Sequence, residues 1–189
     1  MKHTNAIDLD FTPEWCLTFF ENNFYIYSEI DKNMFEEIII PFRKEVENQI
    51  KSTEPKINIY INSSGWDMYV WMELIAAMEE AMEKWVEINT YVTTWAASMA
   101  TLISITWTNR YVGKYCKQLI HYPMGGDWKE TLKQNKNNAK DYAYVAKRAK
   151  DHYNKYCNIA DIEDKLSEWN HIIFWGKELK RQGLADFII

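Results

Sequence analysis

Short apolar runs separated by polar residues predict a set of strands. Residues 57–61 carry isoleucine at every second position, and residues 24–27 form a brief aromatic and aliphatic run. Both patterns are typical of β-strands with at least one buried face. Residues 88–92 and 118–121 have the same character. Pro55 lies just before the isoleucine run, and Gly65 lies in the turn after it, so both ends of that strand are marked by chain breakers.

Between these runs, apolar residues recur at steps of three and four, which predicts helices. One such helix covers residues 35–46 and a small-residue helix covers residues 96–105. The clearest stripe follows the isoleucine strand and consists of Met68, Trp71, Ile75, Met78, Met82 and Trp85. Because strands and helices alternate, the chain is predicted to have a layered α/β fold.

A longer helix is predicted over residues 132–156. Its apolar stripe is made of Leu132, Ala139, Tyr142, Ala146, Ala149, Tyr153 and Tyr156. Residues 129–155 hold eight Lys or Arg against three acidic residues, and His152 beside Asp151 is expected on the solvated face. A narrow stripe of alanine and tyrosine fits a helix that meets another helix or another subunit, while a helix lying on its own domain remains an equal alternative.

Composition narrows the class of protein. The chain has 189 residues, 47% of them hydrophobic, and a net charge of −5, which favours one domain over residues 1–189 and disfavours nucleic-acid binding. We expect no membrane span, and the first ten residues lack the pattern of a signal peptide. The three cysteines, Cys16, Cys116 and Cys157, fit neither a disulfide framework nor a metal site, so a reduced cytoplasmic setting without metal or cofactor is expected.

Ser98 and His121 are the candidate nucleophile and base. Ser98 follows a predicted strand and begins a helix among small residues, where a hydroxyl is held near the positive helix end. His121 follows a strand end and precedes Gly125 and Gly126. Taken singly, each has a more ordinary interpretation, since serine commonly caps helices and a histidine at a strand end is often structural.

Gly65 and Trp66 lie at the start of the second helix. Backbone N–H groups at a helix start have no intrahelical acceptor, so they are able to bind an oxyanion. By spacing alone, this segment has the properties of an ordinary strand-to-helix turn.

Three segments taken together resemble the Clp protease proteolytic subunit, ClpP. Residues 59–65, IYINSSG, are similar to that family's YINSPGG segment, and residues 96–99, AASM, to its QAASMG nucleophile motif. Residues 120–126, IHYPMGG, resemble its IHQPLGG base motif, and residues 183–188 resemble its GLVD ending. The segments occur in the family's order, and the resemblance covers roughly residues 22 to 189.

This resemblance implies a ClpP/crotonase-like fold of repeated ββα units, with residues 131–157 as a protruding handle helix. It implies a self-compartmentalising serine endopeptidase in two stacked rings, heptameric in the family, that hydrolyses unfolded polypeptides delivered by an ATP-driven (AAA+) unfoldase. Ser98 and His121 would be catalytic, the backbone N–H groups of Trp66 and Met99 would form the oxyanion hole, and Gly65 with the 125–126 glycine pair would bind substrate.

The sequence departs from the family pattern at several positions. Trp66 replaces the second oxyanion-hole glycine, and Ala100 replaces the glycine after the motif's methionine. The position of the catalytic aspartate holds His171, or Asn170 if the register shifts by one, and residues 1–21 diverge. Short divergent copies of this kind occur in phages, with the host cytoplasm as their setting and a host unfoldase as a candidate partner. Two alternatives stay open: a weak or inactive ring subunit that modulates a host protease, and, more distantly, a crotonase-type acyl-thioester enzyme.

Overall fold

The computed structural model describes residues 17–121, 132–159, 162 and 171–189. The first half contains β1 (Leu17–Phe20), β2 (Asn23–Ile26), a π-helical turn (Phe35–Ile39) that continues into α1 (Ile40–Gln49), β3 (Lys56–Ser63), α2 (Met68–Glu83) and β4 (Glu87–Ala97). The second half contains α3 (Met99–Ile105), β5 (Asn109–Val112), β6 (Lys117–Ile120), α4 (Leu132–Tyr156), β7 (Ile172–Trp175), α5 (Lys177–Arg181) and β8 (Phe187–Ile188). The predicted α/β class is confirmed.

The strands form one mixed sheet in the order β1-β2-β3-β4-β5-β8. The pairs from β2 to β5 are parallel, whereas β1 runs antiparallel to β2. β4 is long enough to pair with β5 through residues 89–92 and then with β6 through residues 95–97. β6 continues the sheet into β7, to which it pairs antiparallel. The C-terminal end of β4 is therefore paired with β6, and β7 lies on the other side of β6.

One face of the sheet packs against α1, α2 and α3 to form the core. Isoleucines of the alternating strands, such as Ile57, Ile59 and Ile61, are at most 1% exposed, as expected for strands whose inward positions recur every two residues. The opposite face carries a stacked row of rings, with centroids 4.7 to 5.0 Å apart: Tyr25, Tyr60, Tyr91, Tyr111 and Phe187. The row crosses five strands. Ring stacking on this face and core packing on the other therefore both stabilise the register of the strands.

Helix α2 begins at a strong cap and ends sooner than its pattern predicts. The Asp67 carboxylate accepts hydrogen bonds from Tyr69 N and Val70 N at 2.8 and 3.0 Å, which satisfies two of the free N–H groups of the first turn. The sequence pattern places Trp85 on the apolar stripe of this helix, but this prediction is wrong. The helix ends at Glu83, Trp85 adopts φ 65°, and its side chain is 88% exposed.

Helix α4 covers the predicted residues, but its two halves differ. In the C-terminal half, Ala146 and Ala149 are buried against the chain's own core, so the stripe there belongs to the domain itself. Residues 139–141 and 143–144 of the other half are exposed. The expectation of a solvated His152 is wrong, because the C-terminal half of α4 packs against α2 and α3. The His152 side chain is 9% exposed, and its Nε2 lies 2.6 Å from the Thr106 hydroxyl.

The C-terminal segment is held by an ion pair. The Asp186 carboxylate accepts hydrogen bonds from the backbone N, Nε and Nη2 of Arg110 at 2.7 to 2.9 Å, and the guanidinium lowers the pKa of Asp186. Arg110 also donates to the Tyr156 carbonyl at the end of α4. The pair therefore joins β5, α4 and β8. Within the described residues, no helix is long and apolar enough to cross a membrane.

Candidate active site

Ser98 occupies a sharp turn between β4 and α3. Its backbone has φ 55° and ψ −123°, a conformation that costs a non-glycine residue about 1–3 kcal/mol and is kept only where the surroundings enforce it. Ser98 N donates to the Leu119 carbonyl at 2.9 Å, which fixes the turn to β6. A strained strand-to-helix turn of this kind projects a serine hydroxyl away from the sheet, as a nucleophile requires.

His121 directly follows β6, the strand that pairs with the end of β4. Ala97 lies opposite Leu119 in this parallel pair, so the residues that follow each strand emerge at the same edge of the sheet. Ser98 and His121 both line one cavity of about 640 Å³. Among the described residues, the cavity is lined by Glu29, Ser64, Trp66, Asp67, Met68, Tyr69, Ser98, Met99, His121 and Tyr142.

His171 directly precedes β7 and faces His121. Ile120 lies opposite Ile172 in the antiparallel β6–β7 pair, and one step further along this register lie the two histidines. Their ring centroids are 5.5 Å apart and the ring planes differ by 23°. The position predicted for a third site residue is thus in ring contact with His121, although it carries an imidazole in place of a carboxylate.

Two backbone N–H groups border the cavity beside Ser98. Met99 N begins α3, and Trp66 N lies in the turn that joins β3 to α2. In the described part of the chain, neither group has a hydrogen-bond acceptor. The flanking backbone is fixed by Ile30, whose N donates to Gly65 O at 3.1 Å and whose carbonyl accepts from Asp67 N at 2.8 Å.

Gly65 approaches the Ser98 turn more closely than any larger residue could. A Cβ at this position would lie 2.6 Å from Ala97 O, 2.8 Å from Met99 N and 3.0 Å from the Ser98 Cβ. The φ of 84° also belongs to the region that favours glycine. Glycine here leaves the space in front of Met99 N–H open, which an oxyanion site needs.

Trp66 adopts a backbone conformation that glycine prefers. Its φ is 148° and its side chain is 72% exposed at the cavity. The tryptophan therefore keeps its N–H in the turn, at the cost of backbone strain, and lines the same cavity as Ser98.

Neither cysteine in the described part of the chain has the properties of an alternative nucleophile. Cys116 and Cys157 are buried, and burial raises the pKa of each thiol to about 12. A thiolate is the reactive form of cysteine, so neither residue is suited to attack a substrate near neutral pH. No group of three His, Cys, Asp or Glu side chains able to hold a metal ion occurs among the described residues.

The remaining predicted site residues, Gly125, Gly126 and Asn170, lie outside the described residues. Sequence reasoning did not identify Tyr142 or Glu29 as lining residues. Tyr142 lies on the apolar stripe of the long helix, and that pattern indicates packing against another helix or subunit rather than a place in the cavity. Glu29 gave no sequence signal, because it reaches the cavity only through the bridge between Ile30 and Trp66.

Comparison with known protein families places the chain beside a described family. A family model described as Clp protease matches residues 17–189, a range that includes every described strand and helix. No curated protein matches the chain.

Proposed function

The chain belongs to the Clp protease family, and we propose that it is a self-compartmentalising serine endopeptidase subunit that hydrolyses unfolded polypeptides. The predicted ClpP/crotonase-like fold is confirmed by this membership together with the mixed α/β sheet and its helices. The observation that carries the proposed activity is that Ser98, in a strained strand-to-helix turn, lines one cavity with His121.

In the proposed reaction, Ser98 Oγ attacks the scissile carbonyl carbon while His121 takes the hydroxyl proton. The carbonyl oxygen becomes an oxyanion that accepts hydrogen bonds from Met99 N–H and Trp66 N–H. His121 then returns the proton to the leaving amine, which leaves an acyl group on Ser98. Water attacks this ester while His121 takes its proton, the bond between the acyl carbon and Ser98 Oγ breaks, and His121 returns the proton to Oγ. The second product leaves with a new carboxylate.

His171 is proposed to orient His121. Two imidazoles joined by an N–H···N hydrogen bond of about 2.9 Å have centroids about 5 Å apart, close to the 5.5 Å of this pair. A rotation that brings a nitrogen of each ring within hydrogen-bond distance would allow a neutral His171 to accept the proton of its partner and fix its tautomer. Asn170 is the alternative for this role if the register shifts by one.

The proposal includes assembly and delivery of substrate. Two stacked rings, heptameric in the family pattern, would enclose the sites. An AAA+ unfoldase, with a host unfoldase as one candidate, would deliver substrates to them in the cytoplasm. Residues 139–141 and 143–144 in the N-terminal half of α4 support this, since they are exposed and face away from the chain's own core. We assign the contact between rings to this half, because Ala146 and Ala149 are already buried within the subunit.

A second candidate function is a ring subunit with weak or no activity. Two observations favour it. The side chain beside His121 is the imidazole of His171 rather than a carboxylate, and Trp66 occupies a strained turn at the proposed oxyanion site. A neutral imidazole supplies no full negative charge to stabilise the imidazolium of His121. A crotonase-type acyl-thioester enzyme fits less well, because that chemistry has no use for the Ser98 turn beside His121.

Labelling with a fluorophosphonate probe separates these functions. The probe phosphonylates an activated serine, and peptide mass mapping then identifies the modified residue. The proposed endopeptidase requires an adduct on Ser98 that is lost in the Ser98→Ala variant. A folded, assembled wild-type protein that acquires no adduct on Ser98 would contradict the endopeptidase and favour the inactive subunit.

A further inference from the structure

The Leu119 carbonyl is a junction between the two strands that lead to Ser98 and His121. It accepts hydrogen bonds from Ser98 N at 2.9 Å and from the Thr101 hydroxyl at 3.0 Å. The same hydroxyl lies 3.0 Å from the Ala96 carbonyl, so its single proton is shared between the two strands. Thr101 is 0% exposed, so water does not substitute for these bonds.

Thr101 differs from the other hydroxyl residues of its helix. Ser104 Oγ donates to the Thr101 carbonyl at 2.8 Å, and Thr106 Oγ1 donates to the Leu102 carbonyl at 2.6 Å. Both of these bonds stay within the helical segment, as is usual for serine and threonine in helices. Thr106 Oγ1 also contacts His152 Nε2 of α4, but neither hydroxyl reaches β4 or β6. Thr101 instead reaches out of α3 to the ends of β4 and β6, immediately below the Ser98 turn.

We propose that Thr101 is a positioning residue for the Ser98–His121 pair. Its hydroxyl bonds to the Leu119 carbonyl, two residues before His121, and to the Ala96 carbonyl, two residues before Ser98. These bonds hold the ends of β6 and β4 together and so fix the separation of nucleophile and base. This inference rests on the proposed peptidase function. A misplacement of about 1 Å in a catalytic pair costs on the order of 100-fold in rate, so loosening this connection has a measurable effect on turnover.

The test compares Thr101→Val, which keeps the shape and loses the hydroxyl, with Thr101→Ser, which keeps the hydroxyl. Ser104→Ala is the matched control, because it removes a buried hydroxyl from the same helix without touching β6. We expect Thr101→Val to lower kcat about 10- to 100-fold with KM changed less than about threefold. Thr101→Ser should stay within about fivefold of wild type, and Ser104→Ala should keep the wild-type kcat.

Hydrogen exchange of the Ser98 amide provides a readout that does not depend on turnover. We expect this amide to exchange faster in Thr101→Val than in Ser104→Ala, even where the two variants unfold at similar temperatures. Equal kcat values in Thr101→Val and Ser104→Ala, or equal losses in Thr101→Val and Thr101→Ser, would overturn the positioning role. If the wild type proves inactive, the proposed function fails and the catalytic role of Thr101 fails with it. Equal exchange rates of the Ser98 amide in Thr101→Val and Ser104→Ala would refute the role of the Thr101 hydroxyl in holding the Ser98 turn, and would leave the proposed peptidase function standing.

Discussion

His121 and His171 face each other where β6 and β7 meet, with ring centroids 5.5 Å apart. The antiparallel register of the two strands, in which Ile120 lies opposite Ile172, places them there. The residue at position 171, directly before β7, therefore determines which side chain contacts the proposed base. A change at residue 171 acts on His121 without altering the core.

The first prediction concerns that position. His171→Asp should raise peptide turnover, because a carboxylate accepts the Nδ1 proton of His121 and stabilises its imidazolium. A neighbouring negative charge raises the pKa of a histidine, so the acidic limb of the pH profile of kcat/KM should move to higher pH. Steady-state kinetics across pH measure both effects.

Asn170→Asp serves as the comparison for a register shifted by one residue. If both aspartate variants leave turnover and the pH profile unchanged while Ser98→Ala remains inactive, the group that orients His121 lies elsewhere.

The second prediction concerns Gly65. A methyl group there would press on Met99 N and Ala97 O, so Gly65→Ala should displace the proposed oxyanion donor and lower turnover by about 100-fold or more. Gly176→Ala is the matched control: it also has positive φ, and its Cβ would lie 2.7 Å from Lys114 O. Both variants should lower the unfolding temperature, but only Gly65→Ala should lose turnover per folded molecule. Equal turnover in the two would remove Gly65 from the site.

The third prediction concerns the strained tryptophans. Trp66→Gly should leave the free energy of unfolding unchanged or raise it by about 1 kcal/mol, because relief of strain exceeds the added chain entropy and the indole is 72% exposed. Trp85→Gly, with φ 65° and 88% exposure, should behave alike in chemical denaturation.

The two tryptophan variants should differ in kinetics. Only Trp66→Gly removes a wall of the cavity, so only it should change the ratio of kcat/KM values for peptides with large and small side chains. The same ratio in both variants would show that the indole of Trp66 takes no part in substrate selection.

The fold was largely accessible from sequence because periodicity reports burial. Helix α4 was predicted over the residues that it occupies, since its pattern runs for seven turns. β1, β5, β7 and β8 were missed, because each has four residues or fewer and no clear alternation. Ala96 and Ala97 were assigned to a helix, yet they end β4, because small apolar residues fit either element.

The site was less accessible, because its geometry depends on contacts between distant segments. The motif resemblance pointed to Ser98, His121 and His171, but the positive φ of Ser98 and the Thr101 bond to Leu119 have no local sequence signal. His152 was misjudged for the same reason. Adjacent charges indicated solvent, whereas the ring packs against Trp71 and Tyr156.

The fourth prediction follows from the burial of His152, which lowers its pKa to about 4. An unfolded histidine has a pKa near 6.5, so above that pH neither state binds the proton and this group adds no pH dependence. As the pH falls from about 6.5 to about 4, the unfolded state alone takes up the proton, and stability falls by about 3 kcal/mol.

Urea denaturation at several pH values measures this loss for wild type and for His152→Gln, which cannot titrate. The variant should have a shallower dependence of the free energy of unfolding between pH 6.5 and 4. The same slope in both proteins would mean that His152 is not the group responsible.

The fifth prediction tests the proposed serine peptidase most directly: hydrolysis of a fluorogenic peptide by wild type and by Ser98→Ala, with Ser104→Ala as the matched serine control. Loss of the nucleophile removes the acyl-enzyme route, so Ser98→Ala should lose about 10³-fold or more in turnover, while Ser104→Ala retains the wild-type kcat. Both variants should assemble as wild type does. Wild-type turnover in Ser98→Ala, or a wild-type protein with no hydrolysis at all, would contradict the account.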